Sequence, residues 1–123
     1  MAAFREGNYI SRQTAVDHTL NTFKITKLDA GGKVVLASAA TDVILGVLEQ
    51  GGKAGETVSV ALINGNGTFK VKLGGTVAAG SNLTTDANGL AVTAATGNTV
   101  FGRALSAGVS GDVIEYIKRD AVA

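Results

Sequence analysis

Part of this chain is written twice. Displaced by 56 positions, Gly31–Val60 lies over Ala87–Tyr116, which pairs Ala39 with Ala95, Gly46 with Gly102, Gly52 with Gly108 and Gly55 with Gly111. Residue classes agree between those identities: Leu36 with Val92, Ile44 with Val100, Leu45 with Phe101, Glu56 with Asp112, Val58 with Ile114 and Val60 with Tyr116. Each copy reads as a strand carrying one internal glycine, a Gly-rich turn, an acidic residue and a second strand. Two copies are too few for a stacked solenoid, which needs three or more. The duplication points to a compact all-β barrel or sandwich with internal pseudo-symmetry.

From Phe23 to the end, strand signals recur every 8–12 residues with turn residues between them, the pattern of a sandwich or barrel. Thr57–Ile63 alternates Val58, Val60 and Leu62 with Ser59, Ala61 and Ile63. Asn64-Gly65-Asn66-Gly67 then reads as a hairpin turn into Thr68–Leu73, because Asn-Gly pairs tolerate the positive φ of tight turns. Phe69, Val71 and Leu73 are expected inward, with Lys70 and Lys72 toward water. Gly55, Gly65, Gly67, Gly89 and Gly111 are the turn glycines of this reading. Gly46 and Gly102 lie inside strands, where glycine marks a bend, a bulge or a close backbone approach. Their match in both copies predicts two corners where the sheet closes on itself.

Met1–Thr22 is different in character, polar and mixed in charge, with Phe4, Tyr9, Ile10, Val16 and Leu20 scattered through it. An extended arm is expected over residues 1–22, followed by one β domain over 23–123. A short helix over Ser11–Leu20 has only the Val16 and Leu20 pair to support it. At 123 residues the chain suffices for one core, burying roughly two-thirds of the unfolded surface. With 17 Gly and no Pro, glycine must supply nearly all the tight turns.

The net charge is +1 with no basic stripe, so no nucleic-acid partner is expected. Absence of cysteine excludes disulfides and thiolate metal sites and fits production in a cytoplasm. The start lacks a secretory core and no run approaches a membrane span, so no membrane partner is expected either.

Reactive chemistry is sparse. His18 is the only histidine and, in a polar segment, is expected on the surface. Glu49, Glu56, Asp112 and Glu115 fall at strand ends or turns, where solvated acids are usual, and no carboxylates share metal-ligand spacing. Gly51-Gly52-Lys53-Ala54-Gly55 lacks the Gly-Lys-Ser/Thr ending and following helix of a phosphate loop. A lipoyl- or biotinyl-type carrier would need a lysine at its hairpin tip, and Asn64–Gly67 has none. No catalytic, cofactor-binding or metal-binding residue is assigned, and no cofactor is expected.

Several stretches in one order resemble the family of phage capsid decoration, or cement, proteins. They are Ile44-Leu45-Gly46-Val47-Leu48, Ala54-Gly55-Glu56, Val58-Ser59-Val60, Gly75–Gly80, Leu83–Gly89, Val100–Leu105 and Ser110-Gly111-Asp112. The likeness covers about Lys33–Ile117, and Phe4-Arg5-Glu6-Gly7 is similar to the family's opening. The resemblance implies a small β protein without catalytic residues, commonly a homotrimer, that binds the outside of a phage head and reinforces it. The major capsid protein would then be its partner, and the virion's outer surface its location. On that reading Phe4, Tyr9 and Ile10 anchor the arm on the capsid or on a neighbouring protomer. The rival class is a fibre or turret module recognising host glycans, which normally presents exposed aromatics. This chain has no Trp and two Tyr.

Overall fold

The structure is a computed structural model that describes residues 9–64 and 67–123. It contains ten strands: β1 (Tyr9–Gln13), β2 (Ile25–Leu28), β3 (Val34–Leu36), β4 (Gly46–Gln50), β5 (Thr57–Leu62), β6 (Thr68–Lys72), β7 (Asn82–Thr85), β8 (Ala91–Thr93), β9 (Thr99–Ala104) and β10 (Val113–Val122). They form two five-stranded antiparallel sheets, ordered β1-β5-β4-β2-β3 and β6-β10-β9-β7-β8. Adding five to each strand number in the first order gives the second, so the repeated unit is five strands long. The sheets pack as a sandwich-like pair and do not close into a barrel.

The register confirms the repeat strand by strand. Gly46 faces Leu62 across β4 and β5, and Gly102 faces Lys118 across β9 and β10. Upstream, the 56-residue step slips by one: Gly46 faces Thr26, whereas Gly102 faces Leu83. The slip falls at Ser38. Ala37 N–H donates to the Ile25 carbonyl as Ala94 N–H does to Asn82. Ala39 and Ala95, back in step, donate to the side chains of Asp42 and Asn98. Leu36 therefore corresponds to Thr93, and Val35 to Val92.

The opening strands match as well. Arg12 faces Val58 and Val71 faces Ile114, which makes β1 the counterpart of β6. Just beyond, Thr14 N–H donates to Glu56 and Leu73 N–H to Asp112, at 2.9 and 2.8 Å. From Tyr9 on, the segment expected as an arm is thus extended, and it supplies the outer strand of the first sheet. It stays strand and turn through Ser11–Leu20, not helix. Asn64–Gly67 does not close a hairpin. β5 and β6 lie in different sheets, and the turn between them is the crossover from one repeat to the next. The Asn-Gly signal carries no information about which strand becomes the partner.

Gly46 and Gly102 have one shared role. A Cβ on Gly46 would run into the Ala61 carbonyl, and one on Gly102 into the Tyr116 ring and, at 2.7 Å, the Ile117 carbonyl. They mark close strand crossings, not corners of a closed barrel. Around them the main core joins Ile25, Ile44 and Val47 to Leu73, Leu83, Phe101 and Tyr116. A smaller cluster of Val34, Leu48, Val58 and Val60 belongs to the first sheet alone. Phe101 and Tyr116 meet edge to face at 5.1 Å, a geometry worth about 0.5–1.5 kcal/mol beyond simple burial.

Gly46→Ala and Gly102→Ala are each expected to destabilise the fold by about 2–3 kcal/mol, since backbone must move to admit the methyl group. Gly52→Ala, whose Cβ would find ordinary contacts at 3.4 Å, is expected to be milder, within about 1 kcal/mol. Urea unfolding of the three variants checks the order.

The turns before β4 and β9 give a second test. Asp42 accepts from Ser38 and Ala39 N–H and pairs with Lys27 at 3.0 Å, whereas Asn98 takes its place in the second repeat. Burial pushes the Asp42 pKa up, but the Ser38 amide, Lys27 and the Ala39 amide together outweigh it and hold the carboxyl below its ordinary 3.8. A folded-state pKa below the unfolded one contributes stability above the unfolded value, and that stability is lost as pH falls through the folded value. Asp42→Asn keeps one amide cap and loses the ion pair, which is expected to cost roughly 0.5–1 kcal/mol at pH 7. Urea titrations should show the gap from wild type closing below pH 4.

Candidate functional site

His18 is fully buried, contrary to the surface position expected for it. Its Nε2 lies 3.2 Å from the Val34 carbonyl and its Nδ1 2.9 Å from the Asn21 side-chain amide. Its amide donates to the Gly52 carbonyl just as Val77 donates to Gly108, so His18 fills the core position that Val77 fills in the second repeat. Thr14, also fully buried, stands likewise where the second repeat has Leu73. No acid faces the imidazole in a triad. The adjacent Asp17 turns to Thr19, whose N–H and hydroxyl both donate to it and draw its pKa below the ordinary value.

The other acids are occupied with local structure. Glu56 and Asp112 accept from Lys53 and Val109 N–H and so cap equivalent turns. Asp29 and Asp86 each accept two amides in the turns after β2 and β7. Glu49 binds the Ser59 hydroxyl and Glu115 that of Thr68. Among the described residues, no three metal-ligating side chains gather and no buried side-chain polar atom lacks a partner. Tyr116, buried in the main core, has its phenol pKa pushed up by desolvation.

Gly55, Gly67, Gly89 and Gly111 all take positive φ, between 74° and 91°, as turn glycines should. Gly65 and Phe4 lie outside the described residues. Tyr9 and Ile10 both sit on β1. Ile10 packs onto the first sheet's own core. The Tyr9 ring bridges the sheets, edge-on to Phe69 at 6.1 Å with the Lys118 ammonium 5.3 Å from its centroid. Tyr9 is the one exposed aromatic among the described residues.

Surface, then, is what the molecule offers. Among the described residues, Leu28, Val43, Ile44 and Leu45 line a recess of about 160 Å³. Val43 is 88% exposed, with almost no protein cover, and Leu28 is 42% exposed. The sequence held no flag for this patch, because these residues read as ordinary strand interior. Comparison with the second repeat reveals it: there Thr85 and Phe101, the counterparts of Leu28 and Leu45, are buried, and Thr99, that of Val43, is half-buried.

The comparisons with known proteins agree with a surface-acting molecule. A family model described as phage cement protein matches residues 10–119. Among solved structures, the N base of the head fiber protein gp8.5 of bacteriophage phi29 is similar at TM-score 0.74, with 19% sequence identity, over 94% of this chain and 96% of that one. At that identity the likeness shows the fold. No curated protein matches the chain. The family match spans both sheets from β1 into β10, and this chain belongs to the phage cement proteins, structural proteins associated with the capsid of the virion.

Proposed function

We propose that this protein is a non-enzymatic cement that binds the outer surface of a phage head as a homotrimer and bridges neighbouring copies of the major capsid protein. The family match over both repeats is the observation that carries the reading. The engaged acids and the buried histidine support it, since nothing in the described surface converges on a reacting atom. Cement acts by number: a modest contact, multiplied over many symmetric copies that each tie two subunits together, strongly favours the assembled shell. The glycan-binding alternative loses ground because Tyr9, its one exposed aromatic, is already covered on one side by Lys118.

Residues 1–8, with Phe4, are proposed to anchor the protein on the capsid or on a neighbouring protomer, for which an added strand at a sheet edge is the simplest geometry. Tyr9 and Ile10 then hold the root of that anchor on β1. Synthesis in the host cytoplasm fits a chain without cysteine.

Mixing the purified protein with heads that lack it should give saturable density at fixed positions outside the shell in cryo-electron microscopy. Heads that stay bare at saturating protein would end the cement reading, and selective retention on a sugar array would replace it. Deleting residues 1–8 leaves β1 in place, so the melting temperature should hold while head occupancy falls at least several-fold. Undiminished occupancy would remove the anchor.

A further inference from the structure

The two repeats meet head to tail. Ile25 N–H donates to the Gly89 carbonyl at 2.7 Å, Thr99 N–H to Ala40 at 2.8 Å and Lys72 N–H to Phe23 at 2.9 Å. The Thr84 hydroxyl also reaches Ala40, at 3.4 Å. The first repeat thus contributes Phe23, Ile25 and Ala40, and the second contributes Lys72, Gly89 and Thr99. These sets are not equivalents. The counterparts of Phe23, Ile25 and Ala40 in the second repeat are Gly80, Asn82 and Thr96. Those of Lys72, Gly89 and Thr99 in the first are Gln13, Gly32 and Val43. A two-fold joint would use one patch twice; a joint built from two different patches leaves one of each unmatched.

The burial pattern locates both unmatched patches. Gly89 is buried while Gly32 is exposed, and Thr85 is 1% exposed against 42% for Leu28. Thr99 is half-buried against the open Val43, and Phe101 buried against the half-buried Leu45. Three of these positions of the first repeat, Leu28, Val43 and Leu45, line the recess described above. At the other end Ile25 is buried but Asn82 half-buried, and Gly80 and Thr96 are exposed where Phe23 and Ala40 are half-buried. In the internal joint Ile25 meets Gly89, Ala40 meets Thr99 and Phe23 meets Lys72. At the free ends Asn82, Thr96 and Gly80 remain, with Gly32, Val43 and Gln13 in the places of those partners.

We propose that a second copy of this chain docks head to tail, with its Gly80–Asn82 and Ala94–Thr96 segments seated on the Leu28, Val43 and Leu45 recess of the first. The docking repeats the internal joint between molecules. Asn82 N–H takes the place of Ile25 and donates to the Gly32 carbonyl; Val43 N–H takes the place of Thr99 and donates to Thr96. Backbone groups carry these bonds, so the joint survives the side-chain divergence of the repeats. Only the number of copies in a closed ring rests on the homotrimer reading; the joint belongs to the free protein and is independent of capsid binding.

The chain has no cysteine, which makes the test direct. Val43→Cys and Thr96→Cys are made singly and treated with a short bis-maleimide at tens of micromolar protein. A head-to-tail joint gives covalent dimers only when the two variants are mixed. Homodimers of either variant alone, or no intermolecular product in the mixture, would overturn the proposal. Val43→Asp provides the second reading: light scattering should fall from an oligomer to a single chain that keeps the wild-type circular-dichroism spectrum, given how exposed this side chain is. A wild-type protein that is already a single chain at that concentration, or a Val43→Asp protein of undiminished mass, would also overturn it. In the double variant the covalent series should stop at three copies; a different end-point leaves the joint standing and discards the homotrimer. Bare heads in the capsid experiment would discard the cement reading and leave the joint untouched.

Discussion

The fold depends on the apolar joint between two sheets that are each too small to stand alone. Fixing a residue's backbone costs about 1–2 kcal/mol, and a five-stranded sheet of half this chain's length has little surface to bury in return. The first sheet's private cluster holds four buried residues, Val34, Leu48, Val58 and Val60. The larger core draws Ile25, Ala37, Ile44 and Val47 from one repeat and Val71, Leu83, Phe101 and Tyr116 from the other. Folding of either sheet is therefore coupled to its docking on the other. Three main-chain hydrogen bonds across the joint fix how the two faces sit, where apolar contact alone would let them slide.

Fixing that joint has pulled the repeats apart in sequence. Phe23 is the one non-glycine described with positive φ, at 68°, and its counterpart Gly80 has φ of 88°. A side chain in the left-handed region costs roughly 1–2 kcal/mol. Phe23 offsets this by packing its ring on Phe69 at 5.8 Å while its carbonyl receives Lys72 N–H. Gly80, on the open end, has no such contact to gain and keeps the unstrained residue. The polar core pair Thr14 and His18 tells a similar story. Both reach the Val34 carbonyl, so the first repeat ties its edge by hydrogen bonds where Leu73 and Val77 do so by packing.

How much of this was legible follows from how local each signal is. The all-β class rests on patterns within a few residues and appears in the structure, and Gly55, Gly67, Gly89 and Gly111 take positive φ; the Gly46/Gly102 equivalence, read from the repeat, holds in the strand register. Partner choice is not local. Asn64–Gly67 looks like a hairpin in any context, and only the five-strand repeat makes it a crossover. The match of β1 to β6 was hidden because the connection to the next strand differs in length between repeats, so no single displacement aligns both. The one-residue slip at Ser38 similarly misplaced Leu36. His18 seemed solvent-facing because its neighbours are polar, yet burial follows position in the unit, and that position was readable only once Val77 was known to be its counterpart. Of the interaction surface, Leu28 and Val43 were visible as residues but not as an exposed pair.

Acids that might serve chemistry are committed to capping turns, in matched positions of both repeats, and the glycines admit close strand crossings. A surface whose turns are already fixed gives up less entropy on docking than one that must order as it binds. A duplicated unit joined head to tail has a further property. Its internal joint supplies the backbone pattern that a further copy would repeat, so extending the series needs no new kind of hydrogen bonding. A chain whose first-repeat patch always faced water would gain solubility from a polar residue at the position of Val43, as the second repeat has in Thr99. The apolar side chain stands at the open end and the polar one at the covered end, the reverse of what solvent exposure alone would favour.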